Sequence, residues 1–150
     1  MSTEEKRGTV KKPLLTILMI LLLCLIWGNS LLPLRASEHI SAFVATFFGV
    51  DAEEGAPYIR EWVHFVKFCA LGLVLTLYLR SRPSDRRSRA LALGGGGMFF
   101  SLMDETLQMF NGRTASVKDM WMDIAGFALG ILLLHLIDFV REFYRVHRKK

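Results

Sequence analysis

The 150-residue chain is 52% hydrophobic and carries a formal net charge of +5, so it reads as either one soluble domain or a small membrane bundle. Run length decides between them: Pro13 to Leu34 contains no charged residue, and a helix needs about 20 apolar residues to cross a hydrocarbon core of roughly 30 Å. A basic balance suggests nucleic acid in a soluble protein, but here the basic residues flank apolar runs, so topology accounts for them and no nucleic-acid partner is expected.

The first apolar run follows Lys6, Arg7, Lys11 and Lys12. A secretory signal peptide has the same order of charge and hydrophobicity, but no small-x-small cleavage site follows and the run is longer than a signal core. A retained anchor is therefore expected, with the signal peptide as its alternative. Cys24 and Cys69 both fall within apolar runs, and no cysteine or histidine stands near either at metal-ligand spacing, which predicts buried thiols and no disulfide framework.

Between the first two runs, Ile40, Phe43, Val44, Phe47 and Phe48 recur at helical spacing, with Ser37 as the expected cap. An amphipathic helix in the membrane interface and a packing helix over the bundle mouth both bury such a stripe, and the pattern leaves both open. The turn DAEEGAP leads into a second run, Trp62 to Leu79; a third covers Ala90 to Phe110 and a fourth about Met120 to Phe139. The GGGG at residues 94–97 and the Gly126-x-x-x-Gly130 pair predict close helix contacts.

Fourteen of the nineteen basic residues lie before the first run, in the loop SRPSDRRSR with Arg80, or after the fourth run. The positive-inside rule then makes both termini cytoplasmic and turns residues 35–61 and the loop after Phe110 outward. The expected fold is an all-α integral membrane protein of the bacterial cell membrane. Basic tails at 1–13 and 140–150 flank a four-helix transmembrane domain at 14–139, with an extracytoplasmic amphipathic helix between spans one and two. Trp27, Trp62 and Trp121 are expected as interfacial anchors, and Asp138 as an interfacial group beside the basic tail.

Charges inside the spans need partners or a purpose, since one at mid-bilayer costs about 2.5 to 3.5 kcal/mol on insertion scales. His64 and Lys67 share a face of the second span, Asp104 and Gln108 a face of the third, and Asp119 and Asp123 a face of the fourth. All fall at one level, several Å inside the outer ends, where the carboxylates are expected to converge on His64, Lys67 and Arg113. The turn sequence NGR folds Arg113 back over the helix ends as a bidentate carboxylate partner, and Ser116 caps the fourth span.

The stretch DETLQMFNGRTASVKDMWMDIAGFALG resembles the signature of VanZ-like membrane proteins: an Asp-Glu-x-x-Gln helix end, a Gly-Arg turn, a Ser-x-x-Asp start and a Gly-x-x-x-Gly span. WGNSLLP and HFVKFCALG are similar to the family's first and second spans, with Phe68 where a Tyr is common. The resemblance implies polar positions at Ser30, His64, Asp104, Glu105, Gln108, Arg113, Ser116, Asp119 and Asp123, to which the depth argument adds Lys67. It also implies a link to glycopeptide resistance of the teicoplanin type.

Two functional expectations follow. The first is an outward pocket that binds a membrane lipid, a lipid-linked cell-wall precursor or a lipoglycopeptide. The second is an enzyme on such a lipid-linked substrate, with Glu105 or Asp104 as general base and His64 as proton partner. A structural clasp without a ligand is the bland alternative. No nucleophile elbow, phosphate loop or metal-ligand set is visible, so neither a cofactor nor a metal is expected. The cytoplasmic halves of the spans carry no matching polar chain, which argues against an ion route.

Overall fold

The computed structural model describes residues 3–113 and 116–148, with side chains from Lys12 onward. Every element in it is helical: α1 (Thr3–Ser30), α2 (Leu34–Phe47), α3 (Ala52–Arg80), α4 (Arg86–Phe110) and α5 (Val117–His147). Three of these, α1 from Lys12, α3 and α5, are long and apolar enough to cross a membrane. In α4, Arg86, Arg87 and Arg89 at the start and Asp104 and Glu105 near the end lower its apolar character.

Local chemistry fixes the helix ends. The Asp51 carboxylate accepts from the Glu53 and Glu54 amides at 2.9 and 3.3 Å and starts α3. The expected turn DAEEGAP is therefore helix, and Pro57 lies inside α3 close to its start. The cap expected from Ser37 is also corrected: Pro33 is the N-cap of α2, its fixed φ suiting a helix entrance, and Ser37 is buried within the helix. Asp85 caps α4, and the Ser116 Oγ accepts from the Asp119 amide at 3.2 Å to cap α5, as expected. Gly49 and Gly112 take φ of +75 and +71 and turn the chain out of α2 and α4.

α3 is the centre of the bundle and touches all four other helices, α5 most extensively. α3 and α5 run parallel in a single register: Arg60 meets Asp119, His64 meets Asp123, and Arg80 meets Asp138. Glycines make this closeness attainable. A Cβ added at Gly126 would collide with the Phe65 carbonyl, one at Gly130 with the Cys69 carbonyl, and one at Gly72 with the Phe127 carbonyl. The backbones are thus in direct contact, as small-xxx-small faces permit. Gly97 similarly admits the Phe127 ring, whereas Cβ atoms at Gly94 and Gly95 would meet nothing within 4 Å.

The core is small, made of Ile26, Phe68, Leu71, Leu75 and Phe127, with Trp27 and Phe100 packed against it. Trp27 is half-buried against this core, while Trp62 and Trp121 are exposed. Cys24 is exposed and Cys69 half-buried, so the expectation of two buried thiols fails, although both are free. Large apolar side chains cover the outside of α1, among them Leu14, Ile17, Leu21 and Leu25, as in a helix whose solvent is hydrocarbon.

On α2 the small residues Ser37, Ser41 and Ala45 are buried, whereas Ile40, Phe43, Phe47 and Phe48 are exposed. Val44 is half-buried, so α2 packs on α3 mainly through its small residues while the aromatic side chains of the stripe face away from the bundle.

Candidate functional site

At the end of the bundle where α1 and α4 finish and α3 and α5 begin, polar side chains fill the interior. α3 contributes His64 and Lys67; α4 contributes Asp104, Glu105 and Gln108; α5 contributes Asp119 and Asp123; Ser30 closes α1, and Arg113 folds in from the loop. All nine are buried. Helical spacing explains the grouping, because residues three or four apart share a face.

His64 is the hub. Its Nδ1 lies 3.1 Å from Asp123 Oδ1 and 3.4 Å from Asp104 Oδ2. Asp104 also accepts from the Ser30 hydroxyl and, at 3.2 Å, from Gln108 Nε2. Gln108 Nε2 bridges to Glu105 Oε1 at 3.2 Å, and the other Glu105 oxygen accepts from the Ser116 amide at 2.7 Å. Glu105 thereby ties α4 to the cap of α5, while Ser30, Asp104, His64 and Asp123 join all four long helices. In a low-dielectric interior these hydrogen bonds fix register, because a carboxylate stripped of its partners would be costly.

Three participants were not singled out from the sequence. Arg60 Nη2 binds Asp119 Oδ2 at 3.2 Å. Ser101 Oγ lies 3.2 Å from the Met120 carbonyl and 3.4 Å from Asp123 Oδ2. Asn111 Nδ2 reaches the Ser30 carbonyl at 3.4 Å. A signal existed for two of them: Arg60 lies one turn before His64 and Ser101 one turn before Asp104, on the same helix faces.

The expected pairing of Arg113 is corrected. Among the described residues, both of its terminal nitrogens are buried without a hydrogen-bond partner, and so are Lys67 Nζ and His64 Nε2. The carboxylates are instead held by His64, Ser30, Gln108, Ser101, Arg60 and the Ser116 amide. Burial, followed by the neighbouring Arg60 charge, lowers the Arg113 pKa from the ordinary guanidinium value. A guanidinium nevertheless stays protonated in a protein.

Two cavities lie beside α2, and the smaller one touches the interior at His64. A cavity of about 40 Å³ runs between Asn29, Ile40, Val44 and Val63 to His64 and Arg60. A larger one, about 650 Å³, lies between α2 and the first half of α3, where Arg35, His39 and Arg60 face Glu38 and Glu53. Arg60 lines both.

His64, Asp104, Glu105 and Asp123 each present one ligand atom, and the four atoms lie within 4.8 Å of one another. Imidazole and carboxylates form a donor set suited to a divalent cation. The Lys67 ammonium, within electrostatic reach of Asp104 and Asp123, supplies positive charge to the same carboxylates.

No curated protein and no solved structure matches the chain. The sequence model of the VanZ/LLP1 family matches residues 15–138. With that match spanning most of its length, this apolar helical chain belongs to the VanZ/LLP1 family.

Proposed function

We propose that the buried polar site binds the anionic head of an amphiphile: a membrane lipid, a lipid-linked cell-wall precursor or a lipoglycopeptide. The carrying observation is the set of buried donors without acceptors, namely Lys67 Nζ and both terminal nitrogens of Arg113. A buried donor left unsatisfied costs about 1–3 kcal/mol, and more when charged. An anionic ligand would supply the missing acceptors, and Arg113 presents the fork that phosphate and carboxylate groups fit.

A purely structural clasp accounts for Ser30, His64, Asp104, Glu105, Gln108, Ser116 and Asp123, all of which are hydrogen-bonded within the bundle. It does not account for two buried cations whose terminal nitrogens make no hydrogen bond within the bundle.

In this reading α4, which is 25 residues long and so about 37 Å at 1.5 Å per residue, is a fourth span. Both termini are cytoplasmic and the site opens outward in a bacterial cell membrane. α2 rests in the outer interface with Phe43 and Phe47 in lipid, and the cavity beside it admits the head while the tail stays in hydrocarbon. Capturing lipoglycopeptides or their lipid-linked target there would contribute to teicoplanin-type resistance.

Native mass spectrometry of detergent-solubilised protein tests this: the wild type should carry co-purified anionic lipid or precursor that is depleted in Arg113→Ala and Lys67→Met. Equal occupancy in folded wild-type and variant proteins would reject the proposal.

Catalysis on a lipid-linked substrate is the second reading, and one observation favours it. Two carboxylates hold His64 Nδ1 while its Nε2 has no partner, the arrangement in which a carboxylate orients an imidazole to act as base. Asp104 and Glu105 have their oxygens engaged, which shifts the base role from them to His64 Nε2. Turnover by wild type and Glu105→Gln, but not by His64→Gln, is the expected pattern.

A further inference from the structure

The opposite end of the bundle holds a second polar cavity, of about 410 Å³. Arg80 enters it from the last turn of α3, Arg86 and Arg89 from the first turns of α4, and His135 from α5. Two carboxylates stand nearby: Asp138, which Arg80 engages, with His135 Nδ1 3.2 Å from Arg80 Nη2, and Asp85, whose Oδ2 accepts from the Arg87 and Ser88 amides. Arg86 and Arg89 enter no ion pair among the described residues; the other pair at this end joins Arg145 to Glu142. Three guanidiniums line the cavity and neither carboxylate does, which leaves it with an excess of positive charge.

Its position selects the ligand. Lys67 and Arg80 are thirteen residues apart on α3, or roughly 20 Å along the axis. Since the first site lies some Å inside one face of a core roughly 30 Å thick, Arg80 falls at the headgroup level of the other face. The apolar side chains of Leu79 and Leu93 form the rest of the wall. Immediately beyond Leu93, Gly94 and Gly95 leave open space where other residues would project a side chain. The close-packing role that explains Gly96 and Gly97 does not extend to these two.

We propose that this cavity binds the phosphate of an anionic phospholipid. Arg86 and Arg89 grip the phosphate oxygens, Arg80 and His135 close the opposite side, and an acyl chain leaves along the apolar wall of Leu79 and Leu93. Basic pockets between spans are suited to anionic headgroups, each basic group adding to the attraction. Arg86 and Arg89 then act together as a chelate and not as a diffuse surface charge.

The test is a titration of the full chain in detergent, followed by native mass spectrometry, with phosphatidylglycerol, phosphatidylcholine and inorganic phosphate in separate arms. It is run in both wild-type and Arg113→Ala backgrounds, so that lipid at the first site is subtracted. Phosphatidylglycerol should outbind phosphatidylcholine, and Arg86→Gln with Arg89→Gln should weaken it by about tenfold or more.

Arg82→Gln is the control for charge loss alone, because the Arg82 guanidinium stacks on Tyr78 outside the cavity lining. Equal binding of the two lipids, or the same loss in Arg82→Gln as in the double variant, would overturn the proposal. Inorganic phosphate binding as tightly as phosphatidylglycerol would overturn the lipid assignment. Circular dichroism and thermal melting establish that the double variant is folded before its binding is read.

Discussion

At the residue scale, His64 and Arg60 show how differently two ion-pairing side chains on one helix face can matter. The His64 side chain is 1% exposed and separates two carboxylates that are fully buried. Truncation in His64→Ala leaves Asp104 and Asp123 facing each other without their shared partner, and a buried acceptor left unsatisfied costs about 1–3 kcal/mol, more when it is charged. Arg60 is 37% exposed, and Asp119 keeps the favourable field of the α5 N-terminus, so Arg60→Gln should cost about 1 kcal/mol or less. Thermal unfolding in detergent separates the two. Similar melting temperatures for both variants would mean that the His64 network carries no load.

At the scale of elements, α3 and α5 form the rigid pair on which the site is mounted. Gly126→Val places two methyl groups where the Phe65 backbone lies, and overpacking of this kind costs about 1–3 kcal/mol or more. Because Asp123 lies one turn from Gly126, the same variant should also lose ligand from the polar site, measured by native mass spectrometry of the surviving folded protein. Gly94→Ala provides the contrast, since an added Cβ there meets nothing, and helix propensity alone predicts a gain of up to about 1 kcal/mol. For α2, the exposed Phe43 and the buried Ser41 make opposite predictions in reconstituted vesicles. A tryptophan introduced by Phe43→Trp should be quenched by brominated lipid, and one introduced by Ser41→Trp should be shielded.

For the whole molecule, the open question is whether α4 crosses the bilayer beside the three more apolar helices. Cysteines introduced by Ser84→Cys and Asn111→Cys, in a background lacking Cys24 and Cys69, bracket α4. If α4 spans, a membrane-impermeant thiol reagent applied to intact cells should label only the Asn111→Cys protein. Labelling of both or of neither from the outside would contradict four spans with both termini inside. The arrangement is economical in core: few residues are buried apolar groups, because hydrocarbon replaces protein as the surroundings of most apolar side chains. Interhelical order therefore depends heavily on backbone contact at glycines and on the polar network.

The sequence by itself determined which residues are helical in the long apolar stretches, which polar residues share a depth, and the cap at Ser116. These follow from run length, helical periodicity and nearest-neighbour chemistry, all encoded locally. It did not determine which face of α2 packs. The aromatic stripe read equally well as buried or lipid-facing until the Ser37, Ser41 and Ala45 face was seen against α3. Nor did it determine partners: Asp119 goes to Arg60, the other carboxylates share His64, Ser30 and Gln108, and Lys67 and Arg113 are left without acceptors. Pairing depends on the register of α3 against α5, set by backbone contact at Gly72, Gly126 and Gly130, and on that of α1 against α4, tied by Ser30 to Asp104 and Asn111. Only the tertiary structure brings those positions together, and with them the two unpaired cations on which the proposed binding rests.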